Sequence, residues 1–542
     1  MKKILNWKTF LLAVIFIAAF LRFYQLGSNP PSLTWDEVAW GYNAYSLGID
    51  GKDEFGKFLP ITYLESFGDY KPPLYAYLDV LPVKILGLNE FATRFPSAFF
   101  GTLTVLLTFF LVRRIFQKSK QKDTLALLSA LFLAISPWHI LLSRAAFEAN
   151  VANFLIVFGI WAFLEGVDRR RWVFVLSAAS FALSFYVFNT ARVDSPIIVL
   201  LLAVAFRQKL WEMKKTTALA IVVGLIIFLP TFKFLLSSQA ALRYEEVNIF
   251  SDPSIVKTAN QEIANDGNAF WSKIIHNRRV LYSLSFLKHY FDNLSPNFLF
   301  ITGDGNPKFS IQTVGQMYIF DIVFLVGGIL FLIKKKEGYW WLLPLWLLIG
   351  IFPAALARET PHALRIESSL PTFQIITAYG FLELTGKIKK YKKPAVTLLF
   401  VLLFLNFAYF YHSYFYNYPS TYSGEWQYGY KQSIAYVKSV EANYDYIQVT
   451  GALGRPYIYY LFYTKTRPFD YRKTAVIKRD AFGFVTVLGF GKYLFPTDYN
   501  YNLSKTKKVL YINTPYSLPK NIKKLKTFYL LNGQPALVAY TL

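Results

Sequence analysis

The chain has 542 residues, of which 54% are hydrophobic and 19% aromatic, and its mean hydropathy is +0.31. Only 17% of the residues are charged, which is less than a soluble globular protein of this length carries, so the composition indicates a polytopic membrane protein. Cysteine is absent, which excludes a disulfide framework and a thiolate metal site.

The apolar runs predict about eleven membrane-spanning helices, each near the ~20 residues that a span requires. The net charge of +25 lies largely in short loops between these runs, which argues against a nucleic-acid partner. The predicted segments are 8–26, 95–115, 124–142, 150–166, 172–188, 193–206, 217–236, 317–333, 339–357, 366–385 and 394–411.

Basic residues predict the orientation of these helices. If the N-terminus, with Lys2, Lys3 and Lys8, is cytoplasmic, every second loop is basic, as the positive-inside rule requires. These loops are 113–122, 169–171, 207–215, 334–336 and 387–393. An odd number of spans then places the C-terminus outside. A cleaved signal peptide is the alternative for the first segment, but its long core and the lack of a small-residue cleavage site favour a retained helix.

The polar parts of the chain form two long outer loops and a C-terminal domain. The loops cover about 27–94 and 237–316, and the second contains the turn sequence Thr302-Gly303-Asp304-Gly305-Asn306. We place a domain boundary at 411, with a transmembrane core over 1–411 and a small extracytoplasmic α/β domain over 412–542. Strands are predicted at 446–450, 484–487 and 509–512, helices near 425–440 and 455–463, and a hairpin around Asn532-Gly533.

Asp36 and Glu37 are the first candidates for chemistry. A transferase that moves a sugar onto a hydroxyl needs a base to take the proton of the acceptor, and a carboxylate suits this role. Adjacent side chains on a helix diverge by about 100°, so the two acids are not expected to do the same task. The alternative is a helix N-terminal cap formed around Thr34, Asp36 and Glu37.

Lys71 precedes two prolines that fix the backbone before an aromatic stretch. A lysine in this position could bind a phosphate as a point charge. The alternative is an ordinary interfacial lysine above an aromatic belt.

Further candidates lie in the short outer loops. Arg144 and Glu148, four residues apart, either pair or leave Arg144 to bind an anion. Arg365 stands at the start of a helix, where a cation does not complement the helix dipole, and is therefore an anion-ligand candidate. His139 and His362 could bind a metal ion but are more typical of hydrogen-bonding residues at an interface.

Motifs of soluble nucleotide chemistry are missing from the sequence. There is no P-loop, no G-x-G-x-x-G opening a βαβ unit and no Cys/His cluster. The cytoplasmic loops are also too short to hold a nucleotide-sugar domain. A transferase of this kind would take its donor from the lipid.

These motifs together resemble those of the GT-C superfamily of membrane glycosyltransferases. More narrowly, the chain resembles the bacterial dolichyl-phosphate-mannose-protein mannosyltransferase-like group of glycosyltransferase family 39, which includes the lipid A aminoarabinose transferases. The resemblance covers roughly 1–411. It rests on Trp35-Asp36-Glu37, Lys71-Pro72-Pro73-Leu74, Ala92-Thr93-Arg94-Phe95-Pro96 and Pro361-His362-Ala363-Leu364-Arg365.

The resemblance implies an inverting transfer from a polyprenyl-phosphate sugar on the outer face of the cytoplasmic membrane. It implies that Asp36 is the general base and Glu37 its support. Lys71 and Arg365, with Arg144, would hold the donor phosphate. The candidates for further substrate contacts are Asp69, Arg94, His139, Glu148 and His362.

The acceptor, the sugar and any metal ion are less defined. The acceptor could be a lipid, a glycan or a protein, and the lack of an evident β-trefoil insertion argues against a protein. No cofactor is required by the motifs, although a divalent metal ion is compatible with them. Two other readings are a transporter or flippase of lipid-linked saccharides and a non-catalytic scaffold. A cavity that continues to the cytoplasm would favour the transporter.

Overall fold

The computed structural model describes residues 7–542 except 238–239, 241–246, 481–484, 497–498, 500 and 521. Lys2, Lys3 and the first residue of the predicted strand 484–487 therefore lie outside the described residues. The chain forms two compact units. The first contains the residues up to Leu21, Phe100–Leu142 and Glu148–Phe410, and the second contains Arg22–Phe99, Ser143–Phe147 and Tyr411–Leu542.

Each predicted apolar run overlaps a helix, and the run 124–142 overlaps two helices separated by a break. The described helices are α1 Trp7–Phe23, α2 Trp35–Asp50, α3 Leu74–Leu86, α4 Glu90–Ile115, α5 Lys122–Ala134, α6 Pro137–Arg144, α7 Glu148–Asp168, α8 Val173–Ser184, α9 Ala191–Ala205, α10 Arg207–Glu212, α11 Lys214–Leu235, α12 Pro253–Asn265, α13 Phe270–Ile275, α14 Arg278–Asp292, α15 Asp321–Lys335, α16 Leu342–Ala355, α17 Thr372–Lys387, α18 Lys392–His412, α19 Tyr418–Tyr422, α20 Gly429–Val440, α21 Pro456–Thr464 and α22 Pro468–Thr474.

Several of these helices are long and apolar enough to cross a membrane. Within the described residues four spans meet both criteria: α4, α7, α11 and the continuous stretch Lys392–Tyr422. The pair α5 and α6, bent by 56° at a break before Pro137, would be a fifth. The protein is therefore a multi-pass membrane protein, and the total of eleven spans stays a prediction.

The predicted cytoplasmic loops of the first unit are linked to one another. Asp168, at the end of α7, accepts hydrogen bonds from Lys209 Nζ at 2.7 Å and from the Tyr339 hydroxyl at 2.9 Å. Arg114 forms an ion pair with Glu165, one turn earlier on the same helix. These contacts bring four of the loops to one end of the unit, as the alternation of basic loops predicts. The side of the membrane on which that end lies stays a prediction.

The second unit contains a sheet of the C-terminal domain and a small hairpin. The strands are β1 Leu64–Ser66, β2 Asp69–Lys71, β3 Tyr446–Val449, β4 Val476–Arg479, β5 Val485–Phe490, β6 Tyr493–Leu494, β7 Val509–Asn513, β8 Lys523–Tyr529 and β9 Pro535–Thr541. The described sheet has the order β4-β5-β6-β3-β7-β9-β8. Only the pairs of β3 with β6 and with β7 are parallel. The predicted hairpin around Asn532-Gly533 is confirmed as β8 and β9.

One hydrophobic core serves both the first predicted outer loop and the C-terminal domain. Buried residues of α2, such as Val38 and Tyr42, share this core with Tyr460 of α21 and Leu537 of β9. The approach is close at Gly41, where an added Cβ would lie 2.6 Å from the Phe462 ring. The C-terminal domain therefore packs with residues 33–92 as part of one unit.

Candidate active site

Asp36 and Lys71 form an ion pair in the second unit. Asp36 lies in the first turn of α2, and its side chain is 50% exposed, whereas the Lys71 side chain at the end of β2 is 11% exposed. Lys71 Nζ lies 5.3 Å from the centroid of the Trp40 ring and 5.2 Å from that of Phe67, within the range of cation–π attraction. We refer to Asp36, Lys71, Trp40 and Phe67 as the Asp36–Lys71 site.

The hairpin of β1 and β2 positions Lys71 and Phe67. Its two-residue turn is Phe67-Gly68, and both residues have positive φ, at 61° and 84°. Such a turn matches the natural twist of a hairpin, and glycine adopts it without strain. Since Phe67 occupies the other turn position, its ring is fixed relative to Lys71 four residues later.

Glu37, the neighbour of Asp36, is fully buried and accepts hydrogen bonds with both carboxylate oxygens. Oε1 accepts from Arg94 Nε at 2.8 Å and from the Ala146 amide at 2.9 Å. Oε2 accepts from the Thr34 amide at 2.9 Å and completes a capping box with Thr34. Glu37 therefore forms the helix cap that was the alternative interpretation of this motif, whereas Asp36 is not part of the capping box.

Arg94, on α4, completes this buried frame. Its guanidinium donates to the carbonyls of Leu26 at 3.1 Å, Pro30 at 2.8 Å and Ser32, besides Glu37. Arginine suits this position because its planar fork carries five donors. The segment that leads into α2 is thus fixed by one buried side chain, and Arg94 has no exposed surface for a substrate.

Arg144 is also buried, at the end of α6. Its Nη2 donates to the Asn29 carbonyl at 2.8 Å and its Nε to the Tyr414 hydroxyl at 3.2 Å. Asn29 in turn donates to the Tyr414 carbonyl at 3.1 Å. These contacts give Arg144 a positioning role around the start of α2, and its predicted contact with the donor phosphate stays a prediction.

Two buried acids lie behind Lys71, in the turn after α2. Glu54 accepts from Tyr457 at 3.4 Å and from Asn43 at 3.5 Å. Burial, the largest cause, and the neighbouring Asp53 raise the pKa of Glu54 to about 8, while Asn43 and the charge of Lys71 oppose this rise. Burial also raises the pKa of Asp53. Burial therefore favours the protonated form of Glu54.

The C-terminal domain reaches this site through the loop before α21. Gly454 lies against Trp35, the residue before Asp36, so closely that an added Cβ would be 2.7 Å from the indole. Arg455 follows, and its guanidinium lies 5.1 Å from the centroid of the Phe67 ring. Tyr457 packs edge-on against the same ring at 6.0 Å.

The late outer motif lies in the first unit. Arg365 donates to the Glu359 carbonyl at 3.0 Å and to its carboxylate at 3.4 Å. The His362 ring stacks on Phe309, and burial together with the charge of Arg365 lowers the pKa of His362 to about 3, which keeps it neutral. Burial raises the pKa of Asp304 to about 6, although its carboxylate accepts from the Ala363 amide at 2.7 Å.

The remaining candidates are placed as follows. His139 is buried on α6, and Glu148 is the first residue of α7. Asp69 begins β2 and accepts from the Tyr70 amide at 2.8 Å. Over the part of the chain that the structure describes, no three His, Asp or Glu side chains converge as metal ligands. A metal requirement stays untested, as do the roles of these three residues.

Trp40, Phe67, Glu54 and Arg455 were not predicted as site residues. The local signals for their backbone are present, since Phe67-Gly68 is a turn dipeptide and Arg455 precedes a helix-opening proline. Their side chains reach the site through contacts between the first predicted outer loop and the C-terminal domain. Local sequence patterns do not predict contacts between such distant parts of the chain.

A protein-family model matches part of the first half of the chain. Residues 70–234, under a third of the chain, match the family model described as Dolichyl-phosphate-mannose-protein mannosyltransferase. This stretch contains Lys71, Arg94 and Arg144, while Asp36 precedes it. A protein of Aquifex aeolicus (strain VF5) described as uncharacterized is 32% identical over 166 residues, which are 30% of this chain and 31% of that protein. The match thus spans about a third of that relative's length.

Two crystal structures of ArnT from Cupriavidus metallidurans are similar over nearly the whole chain. The structure bound to undecaprenyl phosphate has a TM-score of 0.55 at 13% identity and covers 97% of both chains. The apo structure has a TM-score of 0.54 at 12% identity and covers 98% of this chain and 97% of that one. The fold is therefore similar to that of ArnT, and the resemblance drawn from the sequence is confirmed.

Proposed function

We propose that this protein is an inverting glycosyltransferase that moves a sugar from a polyprenyl-phosphate donor to an acceptor on the outer face of the cytoplasmic membrane. The observation that carries the proposal is the pairing of a half-exposed carboxylate, Asp36, with Lys71 on a rigid buried frame. The undecaprenyl phosphate bound to ArnT supports the choice of carrier lipid. A reaction on the outer face requires that the N-terminus is cytoplasmic and that the C-terminal domain is extracytoplasmic.

Asp36 acts as the general base in this proposal. The acceptor hydroxyl oxygen attacks the anomeric carbon, Asp36 takes the hydroxyl proton, and the bond from that carbon to the phosphate oxygen breaks. The electron pair leaves with the polyprenyl phosphate, so one displacement inverts the anomeric centre. A positioned base contributes about 10²–10⁴ to such a rate.

Lys71 holds the phosphate of the donor in this proposal. The leaving phosphate gains a negative charge as the glycosidic bond breaks, so a cation beside it stabilises the transition state more than the ground state. Phosphate binding also competes with Asp36 for Lys71. The donor thereby releases Asp36 from its ion pair at the stage when a base is needed.

Glu37 and Arg94 act as positioning residues. Glu37 satisfies the amide of Thr34 and the guanidinium of Arg94, so it holds the first turn of α2 that carries Asp36. Arg365, which lies in the other unit, stays a predicted contact of the donor.

Asp36→Asn tests the role of the base. The purified full-length protein is given an undecaprenyl-phosphate sugar and acceptor lipids, and undecaprenyl phosphate release is followed by mass spectrometry. We expect Asp36→Asn to lower turnover about 10²–10⁴-fold while donor binding persists, since an amide keeps the shape but takes no proton. The matched control is Asp470→Asn, which changes an exposed acid in the first turn of another helix, α22.

The outcomes separate the proposal from its rivals. Full turnover in Asp36→Asn would remove Asp36 from the reaction. A protein that moves the lipid-linked sugar across a proteoliposome membrane without releasing undecaprenyl phosphate would be a flippase. Mass spectrometry of lipids extracted from the purified protein identifies the donor directly.

A further inference from the structure

We propose that Arg455 of the C-terminal domain is a second cation for the donor phosphate at the Asp36–Lys71 site, so that this domain supplies part of the active site. The inference deepens the proposed function and rests on it. It assigns a binding role to a residue about 400 positions away from Asp36 in the chain. It also gives the C-terminal domain a part in the reaction.

The geometry centres on one aromatic ring. Lys71 Nζ lies 5.2 Å and Arg455 Cζ 5.1 Å from the centroid of Phe67, so the two cationic groups are within about 10 Å of each other. Phe67 itself is buried, and the turn Phe67-Gly68 fixes its backbone. A phosphate that accepts a hydrogen bond from Lys71 is then within reach of the long, flexible side chain of Arg455.

The backbone around Arg455 is held beside Asp36. Gly454 lies against the indole of Trp35, and the Gly454 carbonyl accepts from the Tyr430 hydroxyl at 3.2 Å. Arg455 adopts φ +46°, a conformation that is uncommon for residues other than glycine, and Pro456 starts α21 immediately after it. The packing of Gly454 on the residue before Asp36 therefore sets where Arg455 begins.

The charge of Arg455 is available for a ligand. Arg455 is exposed, and among the described residues no carboxylate forms an ion pair with it. An arginine on an aromatic ring is also an ordinary surface contact. The distinguishing feature is a second cation on the same ring, itself paired with the acid that we propose as the base.

Two cations suit the chemistry of this leaving group. The phosphodiester of the donor carries one negative charge, and the polyprenyl phosphate that leaves carries up to two. Lys71 provides a compact point charge, whereas a guanidinium binds two phosphate oxygens at once. Arg455 is thus expected to stabilise the departing phosphate and to retain the lipid product.

The test measures binding of undecaprenyl phosphate, with undecaprenol as the probe that lacks the phosphate. The full-length protein in detergent is compared with Arg455→Asn, Arg455→Lys and Lys71→Ala. Asparagine is chosen because it tolerates the left-handed backbone at position 455. The matched control is Arg467→Asn, because Arg467 is an exposed arginine of the same domain that also precedes a helix-opening proline, Pro468.

We expect Arg455→Asn to weaken undecaprenyl phosphate binding about tenfold or more, as the loss of a charge-assisted hydrogen bond does, with undecaprenol binding unchanged. Arg455→Lys should recover part of the loss, and Arg467→Asn should bind as the wild type does. Equal losses in Arg455→Asn and Arg467→Asn would reduce the effect to overall charge and overturn the inference.

Two further results separate the inference from the proposed function. If Lys71→Ala binds weakly and Arg455→Asn binds normally, Arg455 is not a ligand while the proposed function stands. If the wild type binds undecaprenol as well as undecaprenyl phosphate, both the inference and the phosphate site fail. Thermal unfolding of each variant verifies that the fold is intact.

Discussion

Asp36 and Glu37 are adjacent carboxylates with opposite surroundings. Glu37 is fully buried and accepts hydrogen bonds from Thr34, Arg94 and Ala146, whereas Asp36 is half-exposed and pairs with Lys71. The cause is the helix itself, since one residue along α2 rotates the side chain by about 100°. Two adjacent acids can therefore differ, so that Glu37 holds the local structure while Asp36 stays accessible to solvent.

The cationic partners of the two acids, Arg94 and Lys71, differ in the same way. Arg94 uses its fork inside the protein, where it satisfies Glu37 and three carbonyls. Lys71 lies beside the Trp40 and Phe67 rings and pairs with the half-exposed Asp36. A mutation in one pair should therefore affect stability, and a mutation in the other should affect the reaction.

The largest expected effect is on stability, in Glu37→Gln. Removing one charge of a buried pair leaves Arg94 uncompensated, which costs about 3–5 kcal/mol. Asp36→Asn should change stability by about 1 kcal/mol or less, because its pair is partly exposed. The measurement is unfolding in detergent followed by tryptophan fluorescence. Equal losses in the two variants would contradict the division between the acids.

The next effect is a pH dependence from Glu54. Because its pKa is raised from 4.5 to about 8 in the folded protein, the folded state binds the proton more tightly than the unfolded state. The stability that Glu54 contributes is therefore greatest below about pH 4.5 and is lost as the pH rises towards 8, by on the order of a few kcal/mol. Asp53 acts in the same direction.

Glu54→Gln tests this pH dependence, since glutamine does not titrate. The melting temperature of the wild type should fall between pH 5 and pH 8, and that of Glu54→Gln should fall less. The groups that interact with Glu54 include Asn43, Asp53, Lys71, Tyr457, Tyr42 and Tyr471, and each is kept in the variant. Parallel melting curves for the two proteins would show that Glu54 does not control this dependence.

A smaller effect is expected on donor use in Lys71→Met. Losing a charged hydrogen-bond donor to phosphate lowers kcat/KM for the donor about 10–100-fold. Stability should change little, in contrast to Glu37→Gln. The matched control is Lys84→Met, which removes an exposed lysine from α3 in the same unit. Equal donor kinetics in the two variants would leave Lys71 as an interfacial lysine.

The smallest expected effect is that of Phe67→Leu. Leucine is apolar but smaller, and it removes the ring on which Lys71 and Arg455 lie, where a cation–π contact contributes about 0.5–1 kcal/mol or more. Donor binding should weaken two- to fivefold. Phe469→Leu, at an exposed phenylalanine of α22, is the control and should leave donor binding unchanged. An unchanged Phe67→Leu would show that the ring does not organise the two cations.

Local patterns predicted the parts of the fold that depend on local physics. Apolar runs predicted the helices, and the Asn532-Gly533 turn predicted β8 and β9, because each signal lies within the element that it specifies. The two residues of β6 and the exposed strand β4 have no such pattern, since neighbouring strands determine them.

Only part of the candidate site was predictable from local patterns. The motif indicated Asp36 and Lys71, and helix geometry indicated that Asp36 and Glu37 would differ, but not which acid would be buried. That outcome depends on Arg94, 57 residues later, and on the amide of Ala146. Arg455 was missed because its contact with Phe67 depends on how the C-terminal domain packs against residues 33–92.

The shared core also has a consequence for the order of synthesis. Leu537 and Ala539 of β9, about 500 residues after α2 in the sequence, are buried in the same core as Val38 and Tyr42 of α2. The segment that carries Asp36 thus leaves the ribosome early, yet its core stays incomplete until the last strand has been made. Contacts of such long sequence separation form slowly. The acid that we propose as the base therefore reaches its final environment only after β9 has been synthesised.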